Sequence, residues 1–135
     1  MFDVLDFAQE IGSAALNADS IEQARNQQKL ADIAAYRHLT NNWDEDGAVA
    51  PDHQTIVVAL DIALLLIAQG QTLYHTSPGP VGEIMINLRN GDRSVEFLIY
   101  PNEKRRIVRI GGSVTPWQGP LTPDSLRETL IWLNL

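Results

Sequence analysis

A run of thirteen residues, Ile56 to Ala68, constrains the fold of this chain more than any other feature, because it is apolar at every position except Asp61. It is too short to span a bilayer, where the charge of Asp61 would also be costly. A helix that is apolar nearly all round is a buried helix. Asp52 precedes the run as a predicted N-cap and Gly70 follows it as a predicted C-terminal stop, so we expect a central core helix.

Two more helices are predicted before this run. Four apolar residues at close to helical spacing predict a helix over Phe2 to Leu16, which Gly12-Ser13 weakens; they are Leu5, Ala8, Ile11 and Ala15. Ser20 and Gln23 have capping-box spacing, which predicts Ser20 as the N-cap of a second helix that ends near Leu39. A thin apolar stripe on this helix is typical of packing on another helix; its members are Ile21, Ala24, Ala31 and Ala35.

After the apolar run the pattern changes from helical to alternating. Ile84, Ile86 and Leu88 alternate with more polar residues, and Asn90-Gly91 is a strong signal for a two-residue hairpin turn. A turn centred there would place Ile86 opposite Val95. A second turn of four residues, Pro101 to Lys104, would place Val108 opposite Phe97.

The chain ends with one more helix. Thr122 as N-cap and Pro123 in the first helical position open it, and the predicted buried stripe is Leu126, Leu130 and Leu133. With a short edge strand near Leu73 to His75, the sequence predicts an α+β domain. It has two to three N-terminal helices, an antiparallel meander of three to four strands and a C-terminal helix, with the helices on one sheet face.

Length and charge set further limits. The 135 residues predict one domain, with a helical N-terminal part at 1–40 and a helix-meander-helix core at 52–135.

Residues 1–70 contain eleven Asp/Glu against three Lys/Arg, a net charge of −8, whereas residues 71–135 have a net charge of +1. An acidic half disfavours nucleic acid and favours basic protein partners. The absence of cysteine and of a basic N-terminal region fits a cytoplasmic protein without a secretory signal.

The turn between the second helix and the apolar run comes close to a calcium-binding loop. Asn42, Asp44 and Asp46 occupy the first three ligand positions of an EF-hand loop, and Gly47 stands at the required sixth position. His53 stands at position 12, where the bidentate glutamate belongs, so the ligand set is incomplete. The candidate metal ligands are therefore Asn42, Asp44, Asp46 and His53. The alternative is a structural turn with Trp43 filling the gap between helices.

Other chemistry is not indicated. The histidines lie in three separate segments without metal-binding spacing, although His38 and His53 bracket the acidic turn and would allow a mixed His/Asp site. No nucleophile elbow and no phosphate-binding glycine loop is present, so we predict no catalytic residue and no cofactor. A small metal-dependent enzyme or a calcium-binding protein that uses Asn42 to Gly47 is the alternative function.

The basic residues cluster on the third and fourth predicted strands. Lys104, Arg105 and Arg106 are consecutive, and Arg93 and Arg109 are expected nearby. Interleaved aromatics typical of nucleic-acid sites are missing, so the cluster predicts either a charged strand edge that prevents sheet association or a docking patch for an acidic surface. The candidate partner-binding residues are Trp43, Lys104, Arg105, Arg106 and Arg109.

Between Leu39 and Ile110 the chain resembles a loose group of small bacterial proteins that have no assigned activity. Its Asn42-Trp43-Asp44 and Gly47-Ala48 with Pro51 are similar to the group's N-W-D-G-x-G-A-x-P motif, and Ser94 to Phe97 is similar to an S-L-E-I strand. The chain departs from the group at Glu45 and Asp46. The group's association with mobile and defence-related gene neighbourhoods implies an antitoxin-like or immunity-like role.

These features together predict a non-catalytic protein-binding or regulatory module of a bacterium. A chaperone-like partner protein, similar to acidic secretion chaperones in size and in its pI of about 4.7, is a variant within this class. The uninterrupted meander departs from the split sheet of that family. A protein partner is expected, self-association into a homodimer stays open, and neither a membrane nor nucleic acid is an expected partner.

Overall fold

The computed structural model describes residues 17–135. The elements are listed in chain order: α1 (Asn17–Ala35), α2 (His53–Ala68), β1 (His75–Pro78), β2 (Ile84–Asn90), β3 (Arg93–Ile99), β4 (Arg105–Ile110), β5 (Trp117–Pro120) and α3 (Pro123–Leu133). Short 3-10 turns cover Tyr36–His38 and Pro101–Glu103. The helix predicted over Phe2 to Leu16 lies outside the described residues. The α+β class is confirmed.

The ends of α2 and α3 are those that local signals predict. The Asp52 carboxylate accepts a hydrogen bond of 2.7 Å from the Thr55 amide, and Gly70 follows α2 with a φ of +82°. At α3, the Thr122 hydroxyl and the Ser125 side chain each accept from the other residue's backbone amide, which completes a capping box. The Ser20 prediction is wrong, because Ser20 lies inside α1 rather than at its start.

The sheet is an antiparallel meander with the spatial order β1-β2-β3-β4-β5. It has five strands rather than the predicted three to four, because Trp117–Pro120 pairs with β4 where the sequence predicted only a connection. Both edge strands are four residues long and end in proline, Pro78 in β1 and Pro120 in β5. Short edges with proline discourage pairing with another sheet.

The first hairpin is shifted by two residues from the predicted register. Asn90 pairs with Arg93, so the turn is Gly91-Asp92, and Ile86 lies opposite Phe97 rather than Val95. Gly91 has a φ of +62° and Asp92 has no positive φ, which is the pattern of a type II′ turn with glycine in its first central position. A two-residue shift keeps every side chain on its predicted face, so the apolar face was still correct.

The second hairpin is shifted by one residue, and the consequence is larger. The Tyr100 amide donates to the Lys104 carbonyl, which leaves a three-residue loop instead of four. Phe97 therefore lies opposite Ile107, not Val108. A one-residue shift exchanges the two faces of a strand. As a result Ile107 is buried, whereas Ile110 is 42% exposed on the open face.

One apolar core joins the three helices to one face of the sheet. The buried strand residues alternate along β2, β3 and β4; they are Ile84, Ile86, Leu88, Val95, Phe97, Ile99 and Ile107. Ile56, Ala59, Ile62, Ala63 and Leu66 of α2 pack against them, which confirms α2 as the central helix. Within residues 17–135, no helix is both long and apolar enough to cross a membrane.

Helix α1 packs on α2 as expected but with a different face. Its buried residues are Asn26 and Ile33, and Leu30 packs against the core. The predicted stripe is exposed, with Ile21 62% accessible. Small alanines gave a helical period without enough apolar area to decide which side is buried. In α3 the buried residues are Thr129 and Leu133, while the predicted Leu126 and Leu130 are only half-buried.

Candidate functional site

An apolar groove of about 610 Å³ runs between α2 and α3. Six apolar residues form its floor and walls; they are Ile62, Leu65, Leu121, Leu126, Leu130 and Ile131. Leu65 is 45% exposed and Ile131 is 59% exposed, so large apolar side chains face the solvent on both helices. Exposed apolar side chains grouped in one groove are typical of a binding surface, whereas single ones are common everywhere.

The C-terminal ends of α2 and α3 lie at the same end of this groove. Gln69 and Gln71, from the C-terminal end of α2, line it together with Asn134, from the C-terminal end of α3. Arg105, Leu121 and Thr122 lie toward its other end, where α3 begins. No acidic residue is among the described residues that line it. The groove is therefore apolar along its length, and its charged lining residues, Arg105 and Arg127, are both cationic.

A basic cleft of about 600 Å³ adjoins the groove. Lys104, Arg105 and Arg106 line it with Pro120 and Leu121, and the groove and the cleft share Arg105 and Leu121. All three basic residues are exposed. Lys104 and Arg105 form no ion pair with any side chain that the structure describes. The structure thus places these three predicted partner-binding residues beside an apolar surface that sequence reasoning missed.

Arg93 and Arg109 do not belong to that cleft. The Arg109 guanidinium lies over the Trp117 ring at 4.1 Å and faces Trp132 at 6.0 Å, and its Nε donates to the Thr129 hydroxyl at 2.9 Å. Arg93 lies over the same Trp132 at 5.1 Å and donates to its carbonyl. Cation–π stacking and these hydrogen bonds tie β3, β4 and β5 to α3. Arg109 therefore takes part in the packing between the sheet and α3.

The acidic turn is held together by its own backbone. The Asp44 Oδ1 accepts from the amides of Asp46 and Ala48, each at 2.9 Å, and the Asn42 Oδ1 accepts from the Gly47 amide at 2.8 Å. The bonds from Ala48 and Asp46 hold the pKa of Asp44 below its ordinary value. Asn42 and Asp44 thus hold the conformation of the turn through their Oδ1 atoms.

The remaining metal candidates are spread out. His53 is the first residue of α2, beyond the turn. Among the side chains that the structure describes, no group of three or more His, Asp or Glu is arranged to hold a metal ion. Metal binding by Asn42, Asp44, Asp46 and His53 stays a prediction.

Trp43 also has a role within the turn. Its indole Nε1 donates to the Val49 carbonyl at 3.3 Å, and the Val49 amide donates to the Pro80 carbonyl at 2.9 Å. The turn is thereby tied to the β1–β2 connection. Trp43 lines neither the groove nor the basic cleft. Its predicted contact with a partner stays a prediction.

The other titratable groups with shifted pKa values also hold structure. Burial raises the pKa of the Tyr36 hydroxyl, which is hydrogen-bonded to Thr76 at 2.9 Å. The pKa of Asp52 is lowered by hydrogen bonds from Thr55 at the start of α2. Perturbed groups gathered in a cleft would indicate a catalytic site. Here they lie in a partly buried contact between a 3-10 turn and β1, in the acidic turn and in a helix cap.

Neither protein-family models, nor curated proteins, nor solved structures gave a significant match. The resemblance to the small bacterial proteins with an Asn-Trp-Asp motif therefore stays a prediction. The groove and the cleft provide the evidence for function.

Proposed function

We propose that this chain is a non-catalytic protein-binding module of a bacterium, acting in the cytoplasm in an antitoxin-like, immunity-like or chaperone-like role. The observation that carries the proposal is the continuity of the apolar groove with the basic cleft at Arg105 and Leu121. One surface thus combines an apolar groove between two helices with three exposed cations at one end.

This combination defines the chemistry of the partner. An amphipathic helix places its apolar face into such a groove through residues spaced one turn apart. Acidic side chains near one end of that helix would lie close to Lys104, Arg105 and Arg106, and complementary charge favours association and fixes orientation. The partner is therefore an amphipathic helix that carries acidic residues, presented by another protein.

The two halves of the surface can be tested separately. The double variant Leu65→Glu with Ile131→Glu places charges in the apolar groove. The double variant Arg105→Glu with Arg106→Glu reverses the charge of the basic cleft. Ile21→Glu is the matched control, because Ile21 is equally exposed but lies on the outer side of α1. A protein captured by the wild-type chain from its bacterial host is purified, and its dissociation constant is measured by calorimetry for each variant.

We expect the groove variant to weaken binding more than about tenfold, which corresponds to about 1.4 kcal/mol. The cleft variant should weaken it with a reduced dependence on salt, because screened charge attraction is removed. The control should bind like the wild type. Binding that survives both variants, or a strictly monomeric chain that captures no stoichiometric partner, would refute the proposal.

A further inference from the structure

We propose that the partner's helix enters the apolar groove in one direction only. It runs antiparallel to α2 and α3, so that its C-terminal end, which carries the acidic residues, lies at Lys104, Arg105 and Arg106. The direction rests on the proposed function and deepens it, because it specifies which end of the partner's helix is acidic.

The two helices that border the groove run in the same direction. Arg105 lines a cleft with Asp52, the N-cap of α2. The Arg105 carbonyl accepts a hydrogen bond of 3.0 Å from the Leu121 amide, one residue before the N-cap of α3. At the far end, Gln71, which follows α2, and Asn134, which follows α3, line a common cleft. Both helices therefore begin beside Arg105 and end together, so they are parallel across the groove.

Parallel helices give the groove two electrostatically different ends. The N-terminal end of a helix has a partial positive charge, and the C-terminal end has a partial negative charge. The positive ends of α2 and α3 lie at the same end of the groove as the basic cleft. Helix ends and cations together favour negative charge there. The negative end of a docked helix is its own C-terminal end, so the antiparallel direction is the favourable one.

Two carboxylates also lie at this end of the groove, and each has a local partner. The Asp52 carboxylate caps α2 by accepting from the Thr55 amide at 2.7 Å. Asp124, in the first turn of α3, forms an ion pair with Arg127 at 3.4 Å. The three exposed cations of the basic cleft outnumber the one carboxylate that has no cation beside it, so this end keeps its positive charge.

The opposite end of the groove offers hydrogen-bond acceptors. The Gln71 side-chain nitrogen donates to the Gln69 carbonyl at 3.3 Å, and the Asn134 side-chain nitrogen donates to the Leu130 carbonyl at 2.8 Å. The side-chain oxygens of Gln71 and Asn134 are left to accept from a ligand. The first N–H groups of a helix have no acceptor within the helix. This end of the groove therefore suits the N-terminal end of the partner's helix.

The length of the groove places the acidic residues in the last turn of the partner's helix. The eleven residues of α3 extend about 16 Å, which corresponds to about three turns. A helix of that length lays apolar residues along Leu65, Leu130 and Ile131, and its last turn reaches Arg105. The last carbonyls of a helix accept hydrogen bonds, and lysine and arginine side chains contain donors only.

Two synthetic peptides of one composition test the direction on the full chain. Each has about fourteen residues, the same apolar stripe and blocked ends. Three glutamates occupy the last turn of one, the C-acid peptide, and the first turn of the other, the N-acid peptide. We expect the C-acid peptide to bind at least about fivefold more tightly at low salt. Acids in the last turn weaken an isolated helix, so the helix propensity of the peptides alone predicts the opposite order.

A pair of matched charge variants connects this preference to the basic cleft. Arg105→Glu should abolish or reverse the preference for the C-acid peptide. Arg37→Glu should leave it unchanged, because Arg37 is exposed in the 3-10 turn after α1 and lines neither the groove nor the cleft. Added salt should reduce the preference in the wild type, since it screens exposed charges.

Nitroxide labels on the C-acid peptide measure the direction itself. A label at the C-terminal end of the peptide should broaden the amide signals of Arg105 and Leu121. A label at its N-terminal end should broaden those of Gln71 and Asn134, which line the other end of the groove.

The outcomes separate the direction from the proposed function. The reversed pattern of broadening, or equal broadening at both ends from either label, would overturn the inference. Equal affinity of the two peptides for the groove would refute the direction and leave the proposed function standing. If neither peptide perturbs the signals of Leu65 and Ile131 at millimolar concentration, the groove accepts no such helix, and the direction and the proposed function are both refuted.

Discussion

The side-chain oxygen of Asn26 accepts a hydrogen bond of 2.8 Å from the backbone amide of Leu73, and both residues are buried. The Asn26 side-chain nitrogen donates to the Gln71 carbonyl at 3.3 Å. One amide side chain on α1 thus satisfies both a donor and an acceptor of the segment that connects α2 to β1. Hydrogen bonding of this kind explains why a polar residue occupies the buried face of α1.

We predict that Asn26→Leu destabilises the protein by about 1–3 kcal/mol, because it leaves the buried Leu73 amide without a partner. Asn26→Asp should also destabilise the protein, because it keeps the acceptor for Leu73 but sets a buried carboxylate oxygen against the Gln71 carbonyl. Gln28→Ala, on the exposed side of α1, is the control and should change stability by less than about 0.5 kcal/mol. Urea unfolding measures all three. Equal effects for Asn26→Leu and Gln28→Ala would contradict the assigned role.

A second prediction concerns the pair formed by Arg109 and Thr129. Thr129 is fully buried and accepts from the Arg109 Nε, while the Arg109 Nη2 is buried without a partner among the described residues. Thr129→Val should therefore cost about 1–3 kcal/mol, because a second guanidinium donor loses its acceptor.

The double variant Thr129→Val with Arg109→Met should be nearly as stable as Arg109→Met alone. Replacing both partners by apolar groups removes the unsatisfied donor. A double-mutant cycle on unfolding free energies measures this coupling. Strictly additive losses would show that the hydrogen bond is not the source of the effect.

Acid should weaken the cap of α2. Hydrogen bonds from Thr55 hold the pKa of Asp52 below its ordinary value of 3.8, so its carboxylate stabilises the fold fully above that value. The contribution is lost as the pH falls through the lower pKa of the folded state.

Asp52→Asn should keep the cap and remove this part of the acid dependence, since asparagine is an equally good N-cap. Asp52→Ala should cost about 1 kcal/mol at neutral pH. Unfolding curves recorded from neutral pH to below pH 3 compare the three chains. An acid dependence that is unchanged in Asp52→Asn would mean that other carboxylates account for it.

Calcium should leave the melting temperature unchanged. Asn42 and Asp44 use their Oδ1 atoms for backbone amides in the turn, and His53 supplies no hard oxygen ligand. Thermal shift with and without calcium measures this, and Asp44→Ala serves as the comparison because it should loosen the turn in either condition. A calcium-dependent rise that Asp44→Ala abolishes would instead support the cation site.

The candidate site was predictable only in part. The consecutive Lys104, Arg105 and Arg106 indicated a docking patch, and the structure places them in an exposed cleft. The groove beside them was not predicted, because Leu126 and Leu130 were expected to be buried. The available signal was the apolar character of α2 all round its circumference, which leaves Leu65 45% exposed in the groove.

By itself the sequence determined what depends on neighbours a few residues away. Asp52, Thr122 and Gly70 marked helix ends correctly, because caps and stops are made by hydrogen bonds and backbone angles within one turn. Alternating apolar residues likewise established the antiparallel meander, since a strand has a period of two.

The tertiary structure decided everything that depends on distant contacts. The register of β4, the buried face of α1 and the separation of Arg109 from the basic cleft each result from packing between elements far apart in the chain. A difference of one residue in the length of a loop exchanges the two faces of the next strand. Local sequence signals do not fix the length of a loop to within one residue. The groove between α2 and α3 exists for the same reason: it forms only where two distant helices lie side by side on one sheet.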